Sequence, residues 1–192
     1  VDRRWIFGGL LIAGGVGVVR AVTAHPRLHR DTRLLFFGDS LAQGLSPHLR
    51  DLATETGVPY VGTGVVGSRI DQWTSSQWLG EQLVTLQPTL VLVALGTNDA
   101  YSRLSPEAVA ASAELLLSRI PESAEVVWVG VPALPAKYGA NSPSQEVLEA
   151  IVEVAPSYFP SHGLEIPRGP DGLHPSAAGY AGWAGAIWDW LS

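Results

Sequence analysis

Thr89-Leu90-Val91-Leu92-Val93-Ala94-Leu95-Gly96-Thr97-Asn98-Asp99 decides the fold. From Thr89 to Leu95 the chain is nearly all apolar, with no alternation of polar residues. That is the pattern of a strand buried on both faces, which in a domain of this size means a parallel sheet covered by helices. The run stops at Gly96 and passes at once into polar residues. Leu34-Leu35-Phe36-Phe37-Gly38-Asp39-Ser40-Leu41 has the same form: a short apolar run, a glycine, then polar groups.

Helical patterns separate the runs. Leu41 to Thr56 places Leu45, Leu49 and Leu52 near one face. Pro59 to Val66 reads as a second strand and loop, and Ile70 to Gln87 as one helix with an irregular repeat, stopped by Pro88. Ser105 to Ile120 is a strong helix, with Ser105 suited to cap it and Pro106 suited to its first position. Glu125 to Val131 is a strand and 132–143 a Pro/Ala/Gly-rich loop. Ser144 to Ala155 is helical, and 157–166 is ambiguous, with a short edge strand as one reading. Pro175 to Leu191 closes the chain as a helix that Pro175 starts. Alternation of this kind favours βα crossovers and a three-layer α/β/α domain with about five parallel strands over residues 33–192. Ligands of such sheets bind beyond the carboxyl ends of the strands, where Asp39-Ser40 and Asn98-Asp99 fall.

The 192 residues fit a single such domain, preceded by a segment of different character. Residues 1–33 hold six Arg and two acids; the remainder holds six Lys or Arg and sixteen acids, so an acidic domain follows a basic leader. That balance, with no basic patch interleaved with aromatics, argues against nucleic acid as a partner. Arg3 and Arg4 precede an uncharged run from Trp5 to Val19, which Arg20 closes. Fifteen residues are short for a membrane span. The basic start, apolar middle and Val22-Thr23-Ala24 match a secretory signal, and cleavage after Ala24 would leave His25 first. Residues 1–32 are therefore expected to be an export signal or a membrane-associated segment, with membrane contact through 5–19, or else a segment packed on the domain. The expected location is extracytoplasmic or membrane-associated, and cytoplasmic if the leader is neither cleaved nor inserted. The chain has no methionine, position 1 included, and is expected to begin after the native start.

Cysteine is absent, which excludes disulfides and thiol chemistry. His25, His29, His48 and His162 stand in weak contexts, and no His-Glu-x-x-His spacing occurs, so neither metal nor cofactor is expected. Ser40 sits where a strand turns into a helix. Its hydroxyl can face a cleft beside a helix N-terminus that favours developing negative charge. Asp39 or Ser40 as an ordinary helix cap is the alternative. Asn98 can offer an amide to an oxyanion, or it can cap its own turn. Asp171-Gly172-Leu173-His174-Pro175 puts an acid three residues before an imidazole, the pair needed to take and return a serine proton. Gly62, Gly64 and Gly67 match Gly-x-Gly-x-x-Gly, but not on the first βα unit and without the usual ribose acid. Close backbone approach to a ligand is the better reading, with an exposed Gly67 N–H as a candidate oxyanion donor.

In this order the blocks resemble the SGNH superfamily of GDSL-type esterases and lipases. Gly38-Asp39-Ser40-Leu41 resembles its first block, Gly64-Val65-Val66-Gly67 its second, Gly96-Thr97-Asn98-Asp99 its third and Asp171-Gly172-Leu173-His174 its last. The resemblance implies a flavodoxin-like fold and an esterase with Ser40, Asp171 and His174 as catalytic residues. It implies an oxyanion hole from Ser40, Gly67 and Asn98, with Asp39 and Asp99 as supporting groups behind them. Gly62 departs from the family, which often has asparagine there. No Gly-x-Ser-x-Gly elbow of the larger α/β-hydrolase fold occurs. The expected partner is a small-molecule or glycan ester, with short acyl groups, including O-acetyl groups of cell-envelope carbohydrate, preferred over long lipids. A lipase- or thioesterase-like hydrolase, an acyltransferase and a non-catalytic glycan- or lipid-binding module remain as alternatives. Leu134, Pro135 and Tyr138 of the 132–143 loop are expected to form an apolar wall of the pocket.

Overall fold

The structure, a computed structural model, describes residues 26–138 and 141–192. The apolar run at 5–19 and the cleavage motif at 22–24 lie outside the described residues. In chain order the elements are β1 (Leu34–Gly38), α1 (Ser40–Thr56), β2 (Tyr60–Gly64), α2 (Ile70–Trp73), α3 (Gln77–Leu86), β3 (Leu90–Ala94), α4 (Thr97–Ala100) and α5 (Pro106–Ser118). After these come β4 (Glu125–Val129), α6 (Gln145–Val154), β5 (Tyr158–Phe159), a 3-10 turn (Ser161–Gly163) and α7 (Ala177–Leu191).

The five strands form one sheet in the order β2-β1-β3-β4-β5, every pair parallel. This is the flavodoxin-like order expected, and it closes three layers. Alternate residues of the central strands face opposite ways. Leu35, Phe37, Val91 and Val93 pack toward α2, α3, α5 and α6, while Leu34, Phe36, Leu90 and Leu92 pack toward α1 and α7. All five residues of β1 and of β3 are buried. Each large side chain so buried stabilises the fold by roughly 1.5–3 kcal/mol, so the apolar runs are what hold the sheet in the middle.

The helix expected over 70–87 is two helices. Thr74-Ser75-Ser76 interrupts it with side chains that compete for backbone groups. Thr74 Oγ1 donates to the Asp71 carbonyl at 2.6 Å, and Ser76 Oγ accepts from Leu79 N–H to cap α3. Arg119 then braces the break, donating to the carbonyls of Trp73 and Ser76 at 2.8 and 3.0 Å. A second correction concerns Pro175, which does not start α7. It forms an antiparallel bridge with Arg168, and Ser176 caps the helix instead. Leu28 N–H donates to the carbonyl of Leu191 at 2.7 Å, so the chain already packs on the end of α7 before it reaches β1. Among the described residues no helix is long and apolar enough to cross a membrane.

Strand order reverses at β1: the chain steps outward to β2, then returns to β3 on the other side. A crevice opens at such a reversal, outside the carboxyl ends of the two strands.

Candidate active site

Ser40 is delivered to that crevice by close backbone approach. A Cβ on Gly38 would lie 1.9 Å from the Ala94 carbonyl oxygen, so only glycine lets β1 end against β3 here. Asp39 N–H donates to the same carbonyl at 3.1 Å. The Asp39 side chain caps α1, accepting from Leu41 N–H at 2.8 Å, and Ser40 becomes the first helical residue. The two readings of this motif therefore fall on neighbouring residues: Asp39 caps, and Ser40 is presented half-buried at the helix N-terminus. Asp39 is fully buried. Burial pushes its carboxyl up to about 6, against the opposing pull of the Leu41 N–H.

Asn98 follows β3 in the one-turn helix α4, a turn that the sequence pattern did not indicate as helical. Gly96 before it has φ +125°, and a Cβ there would meet the Ile151 side chain at 2.9 Å. Asn98 Nδ2 donates to the Ser68 carbonyl at 2.9 Å and stands 3.5 Å from Asp39 Oδ2. Asp99 turns away from this cluster. Its carboxylate accepts from Ile70 N–H at 3.2 Å and ties α4 to the start of α2. Burial likewise holds it up at about 6.

Gly67 occupies the turn after β2. Ser68 N–H donates to the Val65 carbonyl at 3.1 Å, and Gly67 has φ +75°, the third position of a tight turn that needs positive φ. Gly62 and Gly64 lie within β2, not in a phosphate-cradling turn. At Gly62 the phenol of Tyr60 folds over the strand to Ser46 Oγ at 2.9 Å, in the space a side chain at 62 would need. That contact gives a physical reason for glycine at this position.

The segment from Arg168 to Pro175 brings the last pair. Asp171 Oδ1 accepts from the backbone N–H groups of Leu173 and His174 at 3.0 and 2.9 Å. Its Oδ2 lies 2.6 Å from His174 Nδ1. The imidazole contact and these two N–H groups hold the exposed Asp171 carboxyl at about 2. His174 Nε2 lies 2.9 Å from Ser40 Oγ, across 134 residues of sequence. With the ring proton on Nδ1, held by an ionised Asp171, Nε2 is an acceptor for the Ser40 hydroxyl. The structure thus joins Ser40, His174 and Asp171 in one chain of contacts, with Asn98 beside Asp39 and Ser68.

The residues expected to form an apolar wall, Leu134, Pro135 and Tyr138, have separate partners. Leu134 lines a cavity of about 320 Å3 between the end of β4, α6 and the 3-10 turn, whose lining includes Trp128 but neither Ser40 nor His174. The Pro135 carbonyl accepts from Tyr101 Oη at 2.8 Å, and the Tyr138 ring packs on Tyr101, 5.8 Å between centroids. The loop satisfies its own polar groups first. Sequence reasoning missed Arg168, which donates to the carbonyls of both Leu173 and Ala133. The signal was present: Arg168 is the last Lys or Arg of the chain and stands three before Asp171. Among the described residues no group of three or more His, Asp or Glu side chains converges to hold a metal ion.

The family model for GDSL-like lipases and acylhydrolases matches residues 36–181. No curated protein matches the sequence significantly. Several solved structures share the architecture. A psychrotrophic esterase, EstA from Pseudoalteromonas sp., has TM-score 0.68 and 17% identity, covering 84% of this chain and 97% of its own. A carbohydrate esterase family 3 protein from Talaromyces cellulolyticus has TM-score 0.63 and 17% identity, covering 83% and 96%. A point variant of Axe2, an acetyl xylan esterase from Geobacillus stearothermophilus, has TM-score 0.62 and 18% identity, covering 84% and 95%. At these identities the likeness is one of fold.

Proposed function

This chain belongs to the GDSL-like lipase/acylhydrolase family and is a serine-type ester hydrolase, and from that premise we propose that it removes short acyl groups, acetyl above all, from carbohydrate hydroxyls through an acyl-enzyme. The observation that carries the mechanism is the unbroken path from Asp171 Oδ2 through the imidazole to Ser40 Oγ, 2.6 and 2.9 Å. Ser40 Oγ attacks the ester carbonyl as its proton passes to His174 Nε2. Asp171 holds the Nδ1–H and stabilises the imidazolium. The oxyanion is received by the N–H of Ser40, which as the first residue of α1 has no acceptor within its helix, by the N–H of Gly67 and by Asn98. Asn98 Nδ2 is engaged by the Ser68 carbonyl at 2.9 Å and has only a long 3.5 Å contact to Asp39 Oδ2, which an oxyanion would replace. Collapse expels the alcohol, which takes the proton from Nε2. Water then attacks the acyl-enzyme, its proton passes to Nε2, and Ser40 leaves with that proton.

Two observations support a short acyl group. Ser40 and His174 are half-buried, and the 320 Å3 cavity is lined by other residues. The likeness in fold to an acetyl xylan esterase and a family 3 carbohydrate esterase supports the carbohydrate side. A series of p-nitrophenyl esters from acetate to palmitate, with acetylated xylan alongside, tests the reading. Highest kcat/KM at two to four carbons and release of acetate from the glycan are expected. A maximum at twelve carbons or more would favour a lipase-like enzyme and overturn it, and products carrying the acyl group on an added alcohol would make the chain a transferase.

We further propose that the enzyme works outside the cytoplasm or at a membrane surface. Its support is the basic-flanked apolar run of the leader, joined to one geometric fact. The described chain enters at the amino edge of the sheet, through Leu28 on the end of α7, whereas Ser40 stands at the carboxyl edge. A leader held by a membrane would keep the site turned away from the bilayer, toward soluble or wall-borne esters. Fractionation with N-terminal sequencing checks this; an uncleaved chain wholly in the soluble cytosolic fraction would reject it.

A further inference from the structure

We infer that Arg168 is a positioning residue, whose guanidinium fastens the loop carrying Asp171 and His174 to the loop after β4 and so sets where the imidazole stands over Ser40. The inference rests on the reading of Ser40 and His174 as the reacting pair. Nη1 of Arg168 donates to the carbonyl of Leu173, the residue before His174, at 2.5 Å. Nη2 donates to the carbonyl of Ala133 at 2.6 Å. Two N–H groups of one planar fork thus reach two carbonyls on different loops, a task that a lysine ammonium, as a point donor on a flexible stem, performs poorly.

The need for such a clamp follows from the loop's own bonds. Arg168 to Pro175 closes on itself: Gly169 N–H donates to the His174 carbonyl at 2.7 Å, and Arg168 pairs with Pro175. Ser176 N–H donates to the Pro167 carbonyl at 2.8 Å, closing the base. These bonds fix the loop's shape but not its direction relative to β1. The Leu173 side chain is 3% exposed and anchors the loop in depth, yet apolar contact is non-directional. Direction comes from the Arg168–Ala133 bond. Ala133 belongs to a stretch without strand or helix that Tyr101 holds again at Pro135. The guanidinium therefore ties the base to the loop after β4. Burial lowers the guanidinium from its ordinary value, against the opposing effects of Tyr180, Tyr101 and Asp171.

Misplacement of a reacting group by an ångström costs on the order of a hundredfold in rate. Arg168→Ala is therefore expected to lower kcat on p-nitrophenyl acetate by about 30- to 100-fold, with KM changed less than about threefold. Rates are taken per site titrated by a fluorophosphonate, so that a loss of folded protein does not count. Guanidinium ion at millimolar concentration is expected to restore part of that loss in Arg168→Ala and to do nothing to the wild type. Arg168→Lys, which keeps the charge and most of the stem, guards against a variant that fails to fold and is expected to remain at least about tenfold slow. A kcat within twofold of wild type in Arg168→Ala, full activity in Arg168→Lys, or a loss that guanidinium does not relieve would each overturn the inference. If the wild type itself neither labels with the probe nor hydrolyses the ester, the reading of Ser40 and His174 falls, and this inference with it. If the wild type labels and Arg168→Ala labels as fast, only the inference falls.

Discussion

Ser40 and His174 meet at 2.9 Å, but different forces bring them there. Ser40 follows, after Asp39, a strand whose residues are all buried, paired on both sides by β2 and β3 and packed on both faces by helices. Its position follows from the core. His174 stands on a loop in which Asp171 and Gly172 are exposed, shaped by hydrogen bonds and held through Arg168. Its position follows from polar contacts at the surface. The nucleophile is thus inseparable from stability, whereas the base can be moved at small cost to the fold. Electrostatics divide the same way: the carboxyls around the nucleophile, Asp39 and Asp99, are pushed up to about 6 by burial, while the exposed Asp171 is drawn down to about 2 by its hydrogen bonds.

The largest test removes the nucleophile. Ser40→Ala is expected to lower kcat/KM on p-nitrophenyl acetate by at least about 10^4-fold with the thermal midpoint little changed. Its half-buried side chain loses only a hydroxyl, so activity near wild type would mean that the crevice reacts through another group. Next is the proposed oxyanion donor. Asn98→Ala is expected to cost about 10^2- to 10^3-fold in kcat, read best as a split between kcat and KM, since a group acting only in the transition state leaves KM almost alone. Leu92→Ala sharpens the comparison from the core. Leu92 is fully buried in the central strand, and its truncation is expected to destabilise by about 3 kcal/mol in chemical denaturation while kcat per titrated site stays within a few-fold. A loss of kcat as large as the loss of stability would show the placement of the nucleophile to be more sensitive to core packing than this.

The smallest effect is in pH. Because Asp39 and Asp99 bind protons more tightly when folded, the native state carries more protons than the unfolded one between about pH 4 and 6, and their contribution to stability falls as pH rises through that window. Asp171 has the opposite sign: its contribution is present above about pH 4 and is lost as pH falls toward 2, weakened by its exposure to solvent. Asp39→Asn keeps a capping oxygen but cannot ionise. Its stability relative to wild type is therefore expected to rise from pH 4 to pH 7, by on the order of 2 kcal/mol, in thermal melts at fixed ionic strength. A constant difference across that range would show that burial does not perturb Asp39.

The apolar runs at 34–37 and 89–95 are enough to indicate a parallel sheet, because strands buried on both faces do not alternate. Ser105 and Pro106 declared the start of α5 for the same local reason, a cap followed by a residue without an N–H. The break at Thr74–Ser76 was harder to read, since hydroxyl side chains stop a helix only when a partner such as Arg119 receives the freed carbonyls. Pro175 deceived because its fixed φ suits a helix start and a bridge equally, and the pairing with Arg168 chose the bridge.

What the sequence determined alone were the properties that neighbours in the chain can supply: strands, caps, the glycine turn before Ser40 and the spacing of Asp171 to His174. The tertiary structure decided the contacts that cross the sheet. Tyr60 over Gly62, the loop carbonyls taken by Tyr101 and Arg168, and the 2.9 Å between Ser40 and His174 depend on strand order and on which side each crossover packs. Periodicity and spacing are local and carry no record of such distances; only the closing of the core brings residues 134 positions apart into hydrogen-bonding range.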